Sequence, residues 1–66
     1  MDRIAVNKRT ALKMFWDAGF NTESSIGRAK DLLDAMPQTV RGYWFADTVS
    51  MVISMECNRS RGNNGN

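Results

Sequence analysis

Few side chains in this sequence could do chemistry. There is no histidine, and Cys57 is the one cysteine, so neither a zinc-type ligand set nor an internal disulfide can form. The Cys57 thiol has no evident partner to activate it as a nucleophile. Asp31 and Asp34 could in principle hold Mg²⁺, but Arg28 and Lys30 beside them favour surface ion pairing. We therefore predict a protein that is not an enzyme, with no catalytic residue, metal, cofactor or small-molecule substrate.

A second group of polar side chains has a spacing that suits binding. The segment 37–43 begins with proline, which is well placed in the first turn of a helix. In a helix that begins there, Gln38, Thr39 and Arg41 would point outward, where the base edges and phosphates of a duplex would lie. With the apolar helical pattern that precedes it, the segment predicts a helix-turn-helix over residues 24–44.

The sequence of 37–43, PQTVRGY, also resembles a known pattern. It is similar to the P-x-T-(V or L)-R-x-(Y or W) opening of the recognition helix in MerR-like and excisionase-like DNA-binding domains. The register differs from that family at Lys30, where a small residue is usual, and at Asp34, where glycine is usual. The resemblance is confined to residues 24–44 and implies a small DNA-binding accessory or regulatory protein, acting in transcription regulation or recombination. A purely structural helical hairpin is the alternative for the same residues.

The charges are unevenly distributed along the chain. Residues 1–13 carry four cations against Asp2 alone, whereas residues 14–36 are net acidic. Such asymmetry is typical of a basic end that meets an anionic partner, and an ordinary solvated face is the alternative.

Several cations are therefore candidates for phosphate contacts. If DNA is bound, Lys8, Arg9 and Arg41 would neutralise phosphates, and Arg59 and Arg61 could act as a flexible arm. A monomer with so few cations would bind DNA weakly. A specific function would therefore need a homodimer or a larger assembly.

The large apolar residues favour a different function. The sequence has 5 Met, 2 Trp, 3 Phe and 1 Tyr, which are many for so small a core, and some of them must lie at the surface. Exposed Trp and Met side chains are typical of adaptable protein-binding faces. The alternative function is therefore a small inhibitor or adaptor of the kind that phages and other mobile elements encode, bound to a larger protein. Its candidate interface residues are Trp16, Phe20, Trp44, Phe45, Met51 and Met55.

Two helices that would position these residues are predicted with their own caps. Asn7 is a good N-cap and Gly19 suits the left-handed position after the last turn. Asn21 or Thr22 can cap the second helix, which the proline at position 37 ends. Apolar residues recur at spacings of three and four in both. Gly27 inside the second helix indicates close approach of a neighbouring backbone.

The remaining chain is harder to assign. Residues 38–56 are predicted to form a third helix, because the segment is long for a strand and has no turn pair. Its β-branched residues favour, as the alternative, a short strand near 48–55, paired with residues 4–6 or across a dimer. The polar tail 58–66 lacks apolar anchors and is predicted to be disordered.

The predicted fold is an all-α, three-helix small domain over residues 1–57, with helix-turn-helix-like second and third helices. At 66 residues the chain has room for one domain and a thin margin of stability. No stretch approaches the roughly 20 apolar residues that span a bilayer, and no secretory signal is recognisable. We therefore expect a cytoplasmic protein with no membrane partner.

Overall fold

A computed structural model describes the backbone of residues 3–64 and the side chains of residues 3–59. The elements, in chain order, are β1 (Ala5–Val6), α1 (Lys8–Asp17), α2 (Glu23–Ala35), β2 (Trp44–Phe45) and α3 (Ala46–Asn64). The three described helices confirm the predicted small, mostly helical domain, and a short antiparallel ribbon is added to them. None of these helices combines the length and the apolar character needed to cross a bilayer.

Both ends of α1 are closed by the residues that the sequence predicts. The Asn7 side chain accepts a hydrogen bond of 2.8 Å from the Thr10 backbone N–H. At the other end Gly19 has a φ of 113°, and the Phe20 N–H donates to the Phe15 carbonyl at 2.9 Å. This is the usual left-handed helix ending. Phe20 then packs edge-on against Phe15, with ring centroids 5.2 Å apart.

Helix α2 is capped by Thr22 rather than Asn21. The Thr22 side chain accepts from the Ser25 backbone N–H, and the Ser25 side chain accepts from the Thr22 backbone N–H, which forms a capping box. A side-chain carbon added at Gly27 would meet no atom within 4 Å. The prediction of a close backbone approach at Gly27 is therefore wrong.

The core lies where α1, α2, β2 and α3 meet. Each of these elements supplies at least one buried apolar side chain, and no polar side chain is buried among the described residues. The buried residues are Ala11, Phe15, Ala29, Leu33, Trp44 and Val49. Other apolar side chains pack around them, half-buried.

The ribbon joins residues 4–6 to the residues at the start of α3 by backbone hydrogen bonds. Val6 pairs with Trp44 in an antiparallel register, and the Ala46 N–H donates to the Ile4 carbonyl at 2.7 Å. The strand partner of residues 4–6 is therefore 44–45. Residues 48–55 lie in α3, so the preference for helix there is confirmed and the strand alternative is wrong.

Segment 37–43 does not open a helix, so this part of the helix-turn-helix prediction is wrong. The Thr39 carbonyl accepts from the Gly42 N–H at 2.9 Å, and the Thr39 N–H donates to the Tyr43 carbonyl at 2.7 Å. Gly42 has a φ of 83°, which a helix does not contain. A closed turn leads into β2, and α3 begins only at Ala46.

The chain beyond Cys57 also differs from the prediction. Residues 58–64 continue α3, whereas the sequence predicts disorder from residue 58. The helix extends from a part that the core holds at Val49, and adding residues to an existing helix is much easier than starting one. Residues 65–66 lie outside the described part of the chain.

Candidate interaction surfaces

The turn before β2 uses its polar side chains internally. The Gln38 side-chain amide donates to the Gly42 carbonyl at 2.8 Å, and the Thr39 hydroxyl accepts from the Tyr43 N–H at 3.1 Å. Gln38 and Thr39 therefore stabilise the turn, and the structure does not present them on a helix as base-reading side chains. The tip of the turn is formed by Val40 and Arg41, both of which are exposed.

Three of the predicted phosphate-binding cations lie in the segments that adjoin the same end of the ribbon. Because Val6 pairs with Trp44 in an antiparallel register, the residues after Val6 and those before Trp44 lie at the same end of the ribbon. Lys8 and Arg9 are the first two residues of α1, at this end of the ribbon, and Arg41 is at the tip of the turn. All three are exposed, and the first turn of α1 has no acidic residue.

The two predicted cations of the C-terminal part lie elsewhere. Arg59 is on α3, 3.9 Å from the Glu56 carboxylate. Glu56 also pairs with Arg28 of α2, at 3.2 Å. Arg28 thus bridges two helices instead of pairing with the neighbouring Asp31 or Asp34. The side chain of Arg61 lies outside the described part.

The six predicted interface residues divide into core and surface groups. Trp44 is only 5% exposed and belongs to the core, so the prediction that it forms a binding face is wrong. Its indole N–H donates to the Leu33 carbonyl at 2.9 Å. Phe20 is half-buried against Phe15. The ring of Phe45, also half-buried, lies 3.9 Å below the guanidinium of Arg3.

The other three predicted interface residues lie at the surface. Trp16 is 53% exposed, and Met51 and Met55 are 57% and 62% exposed. The two methionines are four residues apart on α3 and therefore share a face of that helix.

An open groove lies between α1 and α2. It has a volume of about 290 Å³ and is lined by Arg9, Leu12, Lys13, Trp16 and Ile26. The four residues from α1 are spaced by three and four, so they form one stripe along the helix. We call this surface the α1–α2 groove. The sequence predictions do not include Leu12, Lys13 and Ile26 of this lining. The signal that indicates the groove is the spacing of Arg9, Lys13 and Trp16 by four and three residues.

One exposed ion pair stabilises the start of α3. The Arg3 guanidinium donates to both carboxylate oxygens of Asp47, at 3.0 and 2.9 Å, and to the Thr48 hydroxyl. The hydrogen bond from Arg3 lowers the pKa of Asp47 below its ordinary value. The same contact raises the pKa of Arg3.

The described residues offer little for metal binding or nucleophilic chemistry. No cluster of three or more metal-ligating side chains occurs among them. Cys57 is half-buried and unpaired, in an open cleft that Arg28 and Glu56 also line.

Comparison with protein-family models, with curated proteins and with solved structures gave no match to this chain.

Proposed function

We propose that this chain is a small protein-binding module that attaches to a larger protein through its exposed apolar side chains. The observation that carries the proposal is the number of large apolar side chains that the fold leaves in water. Among the described residues they are Ile4, Trp16, Val40, Tyr43, Met51 and Met55.

The fold does not need these side chains, because a separate set of apolar residues forms the core. Single exposed apolar residues are ordinary on a protein surface. Here they include a tryptophan, a tyrosine and two methionines, and aromatic residues and methionine are the types enriched in interfaces. Burying a half-exposed tryptophan against a partner is also among the largest single contributions to binding.

Site-specific photo-crosslinking tests this function. A photoreactive phenylalanine analogue would replace Trp16 in one variant and Met51 in another, with exposed Ser24 on α2 as the matched control. In an extract of the source cells we expect a discrete crosslinked protein from position 16 or 51 and none from position 24. Identical products at all three positions, or none at any, would contradict the proposal.

Binding to duplex DNA is the second candidate. The feature that favours it is the position of Arg41 in the turn at the end of the ribbon where Lys8 and Arg9 begin α1. Because Gln38 and Thr39 are engaged within the turn, these cations would grip phosphates and would not read bases. Such binding would be weak and independent of sequence.

A salt series with mixed-sequence duplex DNA tests the second candidate. Between about 20 and 200 mM salt, binding should weaken steeply as counterions are released. The double variant Lys8→Ala with Arg41→Ala should lower the slope of log affinity against log salt by about 2. Lys30→Ala, an exposed cation on α2, is the control. Absence of binding at the lowest salt excludes this function.

A further inference from the structure

We propose that the α1–α2 groove binds an acidic segment of a partner protein that carries apolar anchor residues. The inference rests on the proposed protein-binding function and deepens it, because it assigns one surface and the chemistry of its occupant.

The shape of the groove suits a peptide segment. Leu12 and Ile26 are half-buried, and Trp16 is about half exposed beside them. A site for a small molecule usually encloses most of its ligand, whereas this groove is open to solvent. An apolar groove between helices is a common binding place for short helical or extended segments.

The charge of the groove determines which segment fits. Arg9 and Lys13 are four residues apart on the same stripe of α1 as Trp16, and both are exposed. The lining contains two cations and no carboxylate. Among the described residues, the ion pairs involve Arg3, Arg28 and Arg59 but neither Arg9 nor Lys13. An acidic segment would supply their partners.

Arg9 lies in the first turn of α1. The N-terminal end of a helix carries a partial positive charge, so a cation there is slightly destabilising. The first turn of α1 has no acidic residue that would offset this charge. A carboxylate from a partner that binds beside Arg9 would interact favourably with both the guanidinium and the helix end.

The apolar part of the groove favours a protein over a nucleic acid. Proteins that bind single-stranded nucleic acids stack successive bases on several aromatic side chains. Trp16 is the one aromatic residue in the lining, and Leu12 and Ile26 offer aliphatic surface. Aliphatic side chains are better matched by leucine, isoleucine or phenylalanine anchors of a peptide.

Selection from a library of random displayed peptides tests the assignment. The wild-type chain and the double variant Arg9→Glu with Lys13→Glu would serve as parallel targets. We expect the wild type to select peptides rich in Asp and Glu with one or two large apolar residues, and the variant not to select them. The variant should fold, because both positions are exposed. The change at position 9 is favourable in the first turn of α1, and the change at position 13 adds only weak surface repulsion with positions 9 and 17.

A selected peptide would then be synthesised for binding measurements. The double charge reversal should weaken its binding by about tenfold or more at low salt and much less at high salt. Trp16→Ala should weaken binding by about tenfold or more at all salt concentrations. Asn58→Ala, at an exposed position on α3 outside the groove, is the matched control and should have no effect. In NMR spectra the Trp16 indole signal should shift, while that of buried Trp44 should not.

Several outcomes would overturn the assignment. They are selected peptides without acidic enrichment, equal binding by the charge-reversed variant, tighter binding of single-stranded oligonucleotides that shifts the Trp16 signal, or a second copy of the chain in the groove. If position 51 still crosslinks to a partner in extract, these outcomes overturn the groove assignment alone. If neither position 16 nor position 51 crosslinks, the protein-binding function itself fails.

Discussion

The indole N–H of Trp44 donates a hydrogen bond of 2.9 Å to the main-chain carbonyl of Leu33, near the end of α2. The last carbonyl groups of a helix lack the N–H donor four residues further on. The Leu33 carbonyl accepts from the Met36 N–H at 3.2 Å, and the Trp44 indole is its second donor. The Trp44 ring lies in the core. One side chain thus links the ribbon to α2 across the turn.

Trp44→Phe should destabilise the fold substantially. The substitution removes one of the two donors to the Leu33 carbonyl, which keeps its hydrogen bond from the Met36 N–H, and it also leaves a small cavity. Together these effects should lower the free energy of unfolding by about 1–3 kcal/mol. Urea unfolding followed by circular dichroism would measure the change. Trp16→Phe is the matched control, since its half-exposed ring should change stability by less than about 0.5 kcal/mol. Equal effects at the two positions would contradict the burial of Trp44.

The ion pair between Arg3 and Asp47 should make stability depend on pH under acidic conditions. The pKa of Asp47 is lowered in the folded state. Its contribution is therefore present above the ordinary aspartate pKa of about 3.9 and is lost as the pH falls through the lower folded value. Thermal unfolding between neutral pH and about pH 2 would measure this loss. Asp47→Asn should make the curve flatter in that range, and an unchanged curve would show that the pair does not form.

Two glycines should respond in opposite directions to alanine. Gly27 lies in α2 with open space around it, so Gly27→Ala should stabilise the protein by about 0.5–1 kcal/mol. Gly42 has a φ of 83°, and Gly42→Ala should cost about 1–2 kcal/mol because of backbone strain. Chemical denaturation of both variants beside the wild type would measure the difference. A stable Gly42→Ala variant would contradict the closed turn.

The cap of α2 can be tested by comparing two adjacent residues. Thr22 accepts the hydrogen bond from the Ser25 N–H, so Thr22→Ala should cost about 1 kcal/mol. Asn21→Ala should change stability by less than about 0.5 kcal/mol, because Asn21 lies before the cap and is exposed. Thermal unfolding of both variants would distinguish them. The reverse order would place the cap at Asn21.

Local signals in the sequence were sufficient for α1 and α2. The signals that predict each helix lie close together in the chain: its cap residues, such as Asn7 and Gly19 of α1, and the spacing of its apolar residues. No contact between distant residues is needed to predict these helices. The sequence also predicts α3, but it places the start of that helix at residue 38 rather than at Ala46. The proline at position 37 is equally suited to a helix start and to a turn, and the choice depends on the ribbon with residues 5–6. That pairing joins distant parts of the chain and leaves no local pattern.

The candidate site was less predictable for the same reason. When residues 38–44 are placed on a helix, Trp44 can be outside and Gln38 can face a duplex. When they form a turn and a strand, Trp44 enters the core and Gln38 bonds to Gly42. By contrast, the stripe of Arg9, Lys13 and Trp16 lies entirely within α1. Its spacing was visible in the sequence, but the residues on α2 that complete the groove were not.

The ribbon also has a consequence for how the chain folds. Helices α1 and α2 are joined by a short loop, so they can pack against each other without the closure of a long loop. The contact of Arg3 with Asp47 joins residues 44 positions apart, and closing so long a loop costs more entropy. We therefore expect the helical pair to form first and the two strands to meet late. Substitutions in β1 should consequently accelerate unfolding and leave the folding rate almost unchanged.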